Sequence, residues 1–272
     1  MWLIDGRRAR AVPVGDRGLQ YGDGLFETLA VVDRRVRLMP LHLARLTEGC
    51  RRLGMPAPPP DLLAGELERL ARGQARAVLK LLVTRGEGQR GYAPPLPAQP
   101  RRLLGRFAWP PWPRSHYTRG VAVRVCETPL GLNPALAGIK HLNRLEQVLA
   151  RAEWRDGRWQ EGLMLDGERR VVCGTMSNVF VVREGRLETP SVSRCGVAGV
   201  MRALVQREAT RMGLASREVD LDLDALAAAD ELFLTNAIIG IWPIRRLGEL
   251  SLRRGPVTRA LQAALALQGV SP

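Results

Sequence analysis

Residues 133–147 read NPALAGIKHLNRLEQ and contain Lys140, one of only two lysines in the chain. The other lysine is Lys80, whereas the same 272 residues include 39 arginines. An arginine stays protonated and does not form an imine with a carbonyl compound, but a lysine amine can do so. A lysine that is retained in such an arginine-rich chain is therefore a candidate for covalent chemistry.

The neighbours of Lys140 favour it over Lys80 as the reactive amine. Lys140 follows the apolar run Ala137-Gly138-Ile139, and apolar surroundings disfavour the charged form of an amine. The apolar spacing from residue 142 to residue 152 predicts a helix that begins next to Lys140. Lys80 lies within a predicted strand, where we expect it to point to a polar face or to support the site electrostatically.

Three other segments are candidates for binding an anion. Gly199, Val200 and Met201 open a predicted helix, where free backbone N–H groups and the helix dipole attract negative charge. Thr235-Asn236-Ala237 follows an apolar strand and can supply further donors. Arg45, on a predicted helix over residues 40–54, is a third candidate because it offers a positive charge.

Composition and charge exclude several classes of protein. The apolar fraction of 46% and the charged fraction of 25% are ordinary for a folded chain. The net charge of +14 is spread along the chain and aromatic residues make up only 5%, which favours an anionic small molecule over nucleic acid as the partner. We expect no membrane segment, because the apolar run 232–244 is too short to span a bilayer and is broken by polar residues and proline.

The four cysteines and the N-terminal residues indicate a cytoplasmic protein. The cysteines are widely separated and lack the CxxC spacing of zinc sites, so we expect no metal and four free thiols. The first residues contain no apolar stretch of the kind found in signal peptides.

Strand and helix patterns alternate along the chain and predict an α+β protein of two unequal domains. The proline-rich segment 109–113 cannot continue a helix or a central strand, so we place the boundary there. The predicted domains are residues 1–113 and residues 114–272, and the second carries Lys140. The predicted strands are 2–4, 25–32, 35–38, 77–84, 103–108, 121–126, 162–166, 170–173, 178–182, 186–189 and 231–235. The predicted helices are 40–54, 61–71, 199–212 and 257–267, together with the one after Lys140.

Several of these stretches resemble one family, the fold-type IV pyridoxal-phosphate enzymes, which includes branched-chain and D-amino-acid aminotransferases. The stretches run in the family's order over nearly the whole chain: residues 16–28, 42–46, 85–92, 133–147, 177–180, 199–202 and 236–237. The run GIKHLNRLEQ at residues 138–147 is similar to the lyase branch of the family, whose members act on 4-amino-4-deoxychorismate. The resemblance implies a smaller N-terminal α/β domain and a larger C-terminal domain with a barrel-like sheet.

The resemblance also implies the cofactor and its contacts. Lys140 would form a Schiff base with pyridoxal 5′-phosphate (PLP) and then move protons during the reaction. The residues expected to contact PLP, besides Lys140, are Arg45, Asn143, Arg144, Cys173, Val200, Met201, Asn236 and Ala237. Arg45, Val200, Met201, Asn236 and Ala237 would bind the phosphate, while Asn143 and Arg144 would lie near the ring.

Cys173 departs from the family pattern. The family usually has a glutamate at this position, which pairs with the pyridine nitrogen and keeps the cofactor ring a strong electron sink. A thiol does this less well. Another acid could serve instead, or the enzyme could tolerate a weaker electron sink because its product is aromatic. Alternatively, Cys173 is simply a small buried residue.

The activity implied by the resemblance is a carbon–oxygen lyase reaction of folate biosynthesis, which converts 4-amino-4-deoxychorismate to 4-aminobenzoate and pyruvate. The substrate is a small dicarboxylate, for which Tyr92 and Arg106 are our candidate contacts, with Arg90 and Arg114 as further possibilities. The alternative is an aminotransferase of the same fold that acts on branched-chain or D-amino acids. A nucleic-acid-binding protein without catalysis is a more distant rival. The family is usually homodimeric, so a homodimer is expected by resemblance.

Overall fold

A computed structural model describes residues 1–270 and confirms the predicted α+β class, with two mixed helix-and-sheet units. The first unit comprises residues 1–110 and residues 139–143, and the second comprises residues 111–138 and the chain from residue 144 onward. Each unit has its own sheet and its own apolar core.

The elements of the first unit are β1 (Trp2–Ile4), β2 (Arg7–Arg8), α1 (Arg17–Tyr21), β3 (Gly24–Val32), β4 (Arg35–Val36), α2 (Met39–Arg52), α3 (Pro60–Ala71), β5 (Arg76–Thr84) and β6 (Arg101–Phe107). The elements of the second unit are α4 (Ser115–Thr118), β7 (Val121–Val125), α5 (Leu145–Ala152), β8 (Glu161–Leu165), β9 (Val171–Gly174), β10 (Asn178–Arg183), β11 (Arg186–Pro190), α6 (Val200–Arg211), β12 (Ser216–Val219), α7 (Leu223–Ala227), β13 (Glu231–Asn236), β14 (Gly240–Leu247), β15 (Leu250–Ser251) and α8 (Pro256–Leu267).

The first unit is built on a six-stranded antiparallel sheet with the strand order β2-β1-β6-β5-β3-β4. Side chains alternate between the two faces of each strand, so Leu25, Glu27 and Leu29 of β3 point to one face. That face carries the apolar core, to which α2 and α3 contribute one side each. Phe26 lies on the opposite face. Glu27 is therefore a carboxylate at a core position.

The helix α2 has a proline in its first turn and two arginines in its last turn, features that favour its two ends. Its buried residues are His42, Leu43, Leu46, Gly49 and Cys50. This spacing of three and four residues turns one side of α2 toward β3. Because His42 belongs to the buried side, α2 brings an imidazole into the core.

Residues 139–143 belong to the first unit because their backbone pairs with β3. The Phe26 N–H donates to the Lys140 carbonyl over 3.0 Å, and the Leu142 N–H donates to the Gly24 carbonyl over 3.0 Å. The Ile139 side chain is part of the first core. Lys140 therefore lies in the first compact unit, whereas the sequence-based boundary after residue 113 assigns it to the second domain. That domain boundary stays a prediction. The last two residues of the predicted second domain lie outside the described residues.

The second unit contains a nine-stranded mixed sheet. Eight of its strands follow the order β12-β11-β10-β13-β14-β7-β8-β9, and β15 pairs with β14 at the side of this path. The pairs β11–β12, β14–β7 and β7–β8 are parallel and the other pairs are antiparallel. The helices α6 and α8 pack against β13.

The main core of the second unit lies on one face of this sheet and includes the buried Trp242. A second, smaller cluster surrounds Cys173 and Met164, which are cross-strand partners on β9 and β8. The apolar residues of the strands alternate between these environments, so the sheet is covered over much of both faces. Such two-sided burial explains why the strand sequences read as nearly continuous apolar runs.

Two local predictions are wrong. The helix after Lys140 begins only at Leu145, because Leu142 and its neighbours are held in an extended segment against β3. No helix is predicted within the glycine-rich segment 15–24, but it contains the helix α1, whose first turn is capped by Asp16 and which ends at Gly22 in the left-handed region.

The strand β14 is not among the sequence-based predictions, because Pro243 interrupts its apolar pattern. In the sheet, Pro243 pairs with Phe233 of β13. Among the described residues, no helix is both long and apolar enough to cross a membrane.

Candidate active site

Lys140 lies in the extended segment that pairs with the start of β3. Its Nζ is 4.1 Å from the centroid of the Phe26 ring. The Nζ of Lys80 lies 5.4 Å from the centroid of the same ring, so both lysines of the chain approach one aromatic side chain. Backbone hydrogen bonds at Gly24 and Phe26, on either side of Leu25, fix the segment, which limits the positions that the Lys140 amine can reach.

Glu27, His42 and Arg45 form a buried charged cluster in the first unit. The His42 Nδ1 lies 2.6 Å from Glu27 Oε2. Arg45 donates from Nε to Glu27 Oε1 over 2.8 Å and from Nη2 to Glu27 Oε2 over 2.5 Å. This two-point geometry fixes the plane of the guanidinium. Glu27 thereby orients Arg45, the arginine predicted to bind phosphate.

The electrostatics of this cluster favour a charged Glu27 and a neutral His42. Burial alone would raise the pKa of Glu27, but the hydrogen bond from His42 and the charge of Arg45 outweigh it and lower the pKa to about 2. Burial lowers the pKa of His42, and the charges of Arg45 and Lys140 add to this effect against the opposing influence of Glu27. Lys140 is thus electrostatically linked to the cluster.

Asn143 is fixed against the turn that ends α1. Its Nδ2 donates to the Gly22 carbonyl over 3.1 Å. A Cβ at residue 22 would lie 2.4 Å from the Asn143 Oδ1, and the φ of Gly22 is +65°, so both space and backbone conformation require glycine there. Asn143 and Lys140 therefore lie on one segment whose two ends are held by the first unit.

In the second unit, Gly199 precedes the first turn of α6, which contains Val200 and Met201. The first N–H groups of a helix have no partner within the helix and point outward from its N-terminus. A Cβ at residue 199 would lie 2.1 Å from the Asn178 Oδ1, so the glycine allows Asn178 to pack against this end of the helix. Asn178 in turn donates from Nδ2 to the Val197 carbonyl over 2.9 Å.

Asn236 shapes the turn between β13 and β14, which includes Ala237. Its Oδ1 accepts hydrogen bonds from the N–H groups of Ile238 at 2.8 Å and Ile239 at 2.9 Å. Its Nδ2 donates to the Met176 carbonyl over 3.0 Å. Asn178 and Thr235 are cross-strand partners, so this turn and the segment before α6 are attached to adjacent strands, β13 and β10. The predicted phosphate ligands of the second unit thus share one rigid framework.

Cys173 is buried on β9, in the cluster that also contains Met164. Burial lowers the pKa of the nearby Arg144, while Cys173 and Glu146 act in the opposite direction. The two residues predicted to lie near the cofactor ring in this unit, Arg144 and Cys173, therefore interact with each other. Their contacts with a cofactor stay predictions.

The two candidate substrate residues differ in their environment. Tyr92 is 86% exposed and packs edge-on against Tyr21, with 5.5 Å between the ring centroids. Arg106 pairs with Leu79 on the core side of the sheet and donates to the Leu70 carbonyl over 3.3 Å. Arg106 thus lies on the face opposite to Phe26 and is not brought next to Lys140. A substrate contact stays a prediction for both residues.

Three buried polar residues, Glu27, His42 and Glu161, are not among the predicted site residues. Glu27 interrupts the alternation of apolar residues on β3 at an inward-facing position, and His42 and Arg45 are three residues apart on α2. These signals could have identified the first cluster. Glu161 only precedes an apolar strand, so the sequence contains no comparable sign of its partners.

An arginine oriented by a buried carboxylate, in the first unit, and the free N–H groups at the start of a helix, in the second, are each features of proteins that bind phosphate groups. Residues 24–247 match the model of the family described as amino-transferase class IV. The chain therefore belongs to the amino-transferase class IV family.

Three comparisons describe its relatives. The chain is 33% identical to the aminodeoxychorismate lyase of Vibrio harveyi over 97% of this chain and 99% of that protein. It is 51% identical to the 4-amino-4-deoxychorismate lyase of Pseudomonas aeruginosa, whose crystal structure superposes with a TM-score of 0.94 and coverages of 97% and 98%. The branched-chain amino acid aminotransferase of Escherichia coli is 25% identical, with a TM-score of 0.88 and coverages of 98% and 93%. These relatives confirm the predicted fold-type IV architecture.

Proposed function

We propose that the protein is a PLP-dependent carbon–oxygen lyase that converts 4-amino-4-deoxychorismate into 4-aminobenzoate and pyruvate, a step of folate biosynthesis. The observation that carries this proposal is the fixed position of Lys140, in a segment tied to β3 by backbone hydrogen bonds at Gly24 and Phe26, with its amine next to the Phe26 ring. The 51% identity to the Pseudomonas aeruginosa lyase over nearly the whole chain supports the lyase reaction.

The residues present fit PLP. The start of α6 offers backbone donors beside Gly199, where a Cβ would collide with Asn178. The Asn236–Ala237 turn and the oriented Arg45 offer further groups suited to a phosphate. In this proposal Arg45, Val200, Met201, Asn236 and Ala237 bind the phosphate. Asn143, Arg144 and Cys173 contact the ring, and Lys140 forms the covalent bond. When bound, PLP supplies an electron sink that stabilises negative charge on the substrate carbon that bears the amine.

The reaction is an elimination in which no water is consumed or released. Lys140 takes the proton from the ring carbon that bears nitrogen, and the bond from the adjacent carbon to the enolpyruvyl ether oxygen then breaks. The electron pair of the broken C–H bond completes the aromatic ring. The departing enolate oxygen receives a proton, which we assign to Lys140, and the resulting enol tautomerises to pyruvate. Aromatisation provides the driving force.

Lys140 is suited to both proton transfers because one amine can accept the proton and deliver it a short distance away. Its position over Phe26 restricts the amine to one region. Because the pKa of Glu27 is about 2, Glu27 stays ionised at neutral pH. The Glu27–Arg45 ion pair therefore keeps the same charges throughout the reaction. Tyr92 and Arg106 are our candidates for substrate contacts, of which the exposed Tyr92 is the better placed to reach a ligand.

An aminotransferase reaction is the second candidate, because the Escherichia coli branched-chain enzyme has the same fold at 25% identity. The test is to supply purified protein with enzymatically prepared 4-amino-4-deoxychorismate and to measure 4-aminobenzoate. A parallel sample receives 2-oxoglutarate and branched-chain or D-amino acids. We expect 4-aminobenzoate to form faster than any amino group is transferred. Sustained transamination at the higher rate would overturn the lyase assignment.

We also propose a homodimer in the cytoplasm. Leu145, Val148 and Leu149 on α5 are 53–69% exposed and form an apolar strip, which supports burial against a second copy. The four cysteines carry thiols, as is common in a reducing compartment. Light scattering of the purified protein tests the dimer, and Val148→Glu should shift the mass toward a monomer. A wild-type protein with the mass of one chain would contradict this part of the proposal.

A further inference from the structure

Glu161 is an acid at the start of β8 with 1% of its surface exposed. Its Oε1 accepts hydrogen bonds from the Gly162 N–H at 3.0 Å, the Thr175 N–H at 3.2 Å and the Thr175 hydroxyl. Its Oε2 accepts from the Met176 N–H at 3.2 Å and the Ser177 hydroxyl at 2.9 Å. All of these donors are neutral, and four of them belong to the turn 174–177. The buried Glu161 side chain therefore stabilises the turn by accepting these four hydrogen bonds.

One residue of the turn, Met176, connects Glu161 to Asn236 by hydrogen bonds. The Met176 N–H is bound to Glu161, and the Met176 carbonyl accepts the Asn236 Nδ2 at 3.0 Å. The Asn236 Oδ1 then fixes the N–H groups of Ile238 and Ile239. Displacing Met176 would consequently displace the Asn236–Ala237 turn.

A second path leads from the same carboxylate to the start of α6. Ser177, bound to Glu161, precedes Asn178, which packs against Gly199 and donates to the Val197 carbonyl. The two paths end at two separate donor groups of the second unit, the Asn236–Ala237 turn and the first turn of α6. Glu161 lies at the point where the paths meet.

We propose that Glu161 is a positioning residue that sets the two phosphate-binding segments of the second unit in place through the turn 174–177. The inference rests on the proposed function, because it takes the phosphate of PLP as the ligand of these segments. Glu161 acts from beneath the turn and not by touching the cofactor. Burial raises the pKa of Glu161, which means that burying its charged form lowers the stability of the fold. A neutral side chain that only filled the space would not have this cost.

Glu161→Gln tests this role with almost no change of shape. The new NH2 group must face either the two N–H groups at Oε1 or the single Met176 N–H at Oε2. The second orientation leaves fewer donors without an acceptor, because the Ser177 hydroxyl can rotate to accept. It removes the acceptor of Met176, the residue that leads to Asn236.

Glu231→Gln is the matched control. Glu231 is also a buried acid at the start of a strand of the same sheet, with 3% exposure. It accepts the N–H groups of Val257 at 3.0 Å and Thr258 at 2.8 Å and so holds the start of α8. Both substitutions should lower the melting temperature, but only one should affect the phosphate-binding segments.

The measurements on each holoenzyme are the dissociation constant of PLP, the ³¹P NMR signal of bound PLP and amide exchange at Ile238 and Ile239. For Glu161→Gln we expect PLP to bind about tenfold more weakly, as for loss of one hydrogen bond to a charged group. The ³¹P signal should shift and the two amides should exchange faster, while Glu231→Gln leaves all three measurements near the wild type. Equal PLP affinity in both variants, with melting temperatures lowered alike, would overturn the proposal.

Thr175→Val provides the same test if Glu161→Gln does not fold, since it removes one hydroxyl donor from Glu161. A smaller loss of PLP affinity, about threefold, is expected for the loss of one hydrogen bond. Unchanged PLP affinity and an unchanged ³¹P signal in Thr175→Val would count against the positioning role. A wild-type protein that binds PLP but forms no 4-aminobenzoate would refute the proposed reaction and leave this inference intact.

Discussion

Glu27 in the first unit and Glu161 in the second are the same type of side chain with the same 1% exposure, but they are stabilised in opposite ways. Glu27 is bound by Arg45 and His42, and its pKa falls to about 2. Glu161 is bound by backbone N–H groups and hydroxyls, and burial raises its pKa. A cation beside a buried carboxylate thus reverses the effect that burial has on the pKa.

The difference shows a division of roles between the units. The first unit contains Lys140, the amine that we propose to be reactive, and a charged cluster that is electrostatically linked to it. The second unit uses neutral donors to shape turns and a helix start. We expect substitutions in the first unit to affect covalent chemistry and charge, and substitutions in the second to affect how tightly an anion is bound.

The largest effect is expected for Lys140→Ala. Loss of the amine should lower 4-aminobenzoate formation by about a thousandfold or more, because no other group replaces the base. The second unit should still bind PLP reversibly, although more weakly. The assay is 4-aminobenzoate formation, combined with equilibrium binding of PLP to the variant.

The control for this variant is Lys80→Ala, which removes the other amine next to Phe26. Borohydride treatment should still attach PLP covalently to the Lys80→Ala protein. Substantial turnover by Lys140→Ala would contradict the role assigned to the first unit.

Glu27→Gln should be the most destabilising of the charge substitutions. It leaves the Arg45 guanidinium without its carboxylate in a largely buried site, at a cost of about 3 kcal/mol in the free energy of unfolding at pH 7. The folded pKa of Glu27 lies below the usual 4.5, so its contribution is present above pH 4.5 and is lost as the pH falls toward 2. Urea unfolding at pH 7 and at pH 3 should therefore show the gap between variant and wild type narrowing at the lower pH.

Gly199→Ala is expected to have an intermediate effect, confined to the second unit. The added Cβ would lie 2.1 Å from the Asn178 Oδ1, so either Asn178 or the start of α6 must shift. We expect a loss of about 2 kcal/mol in stability and weaker PLP binding. Gly65→Ala is the control, because a Cβ there meets nothing within 4 Å and alanine favours the helix α3. Equal PLP affinity in both variants would contradict the role assigned to the start of α6.

The smallest expected effect is the contribution of Glu161 to the pH dependence of the free energy of unfolding. Its folded pKa is above the usual 4.5, so wild-type stability should fall relative to Glu161→Gln as the pH rises above 4.5. This slope is opposite in sign to that of Glu27. Thermal unfolding of both proteins between pH 4.5 and pH 8 measures it. A slope of the same sign as that of Glu27 would show that the two carboxylates are stabilised alike.

Much of the framework was predictable from local patterns. The predicted strand 25–32 corresponds to β3 (Gly24–Val32), and the predicted helix 199–212 corresponds to α6 (Val200–Arg211). These elements were predictable because the spacing of apolar residues and the glycines at the ends of elements are local features of the sequence. Lys140 was identified by its rarity. Its local structure was not predictable, since the apolar spacing is helical while the partner of residues 139–142 is the distant strand β3.

The hydrogen-bond partners and directions of the polar side chains were harder to predict from the sequence. Glu161 depends on a turn that lies 14 to 16 residues further along the chain, and neither segment has an unusual sequence. The direction of Arg106 was equally hard to predict, because its register with Leu79 places it on the core side of the sheet. Only the pairing of the strands determines these directions.

The most direct measurement of the central claim is mass-spectrometric peptide mapping after borohydride reduction of the holoenzyme. We predict a single modified peptide that carries the reduced pyridoxyl group on Lys140, with Lys80 unmodified. A pyridoxyl group on Lys80, or on neither lysine, would contradict the account.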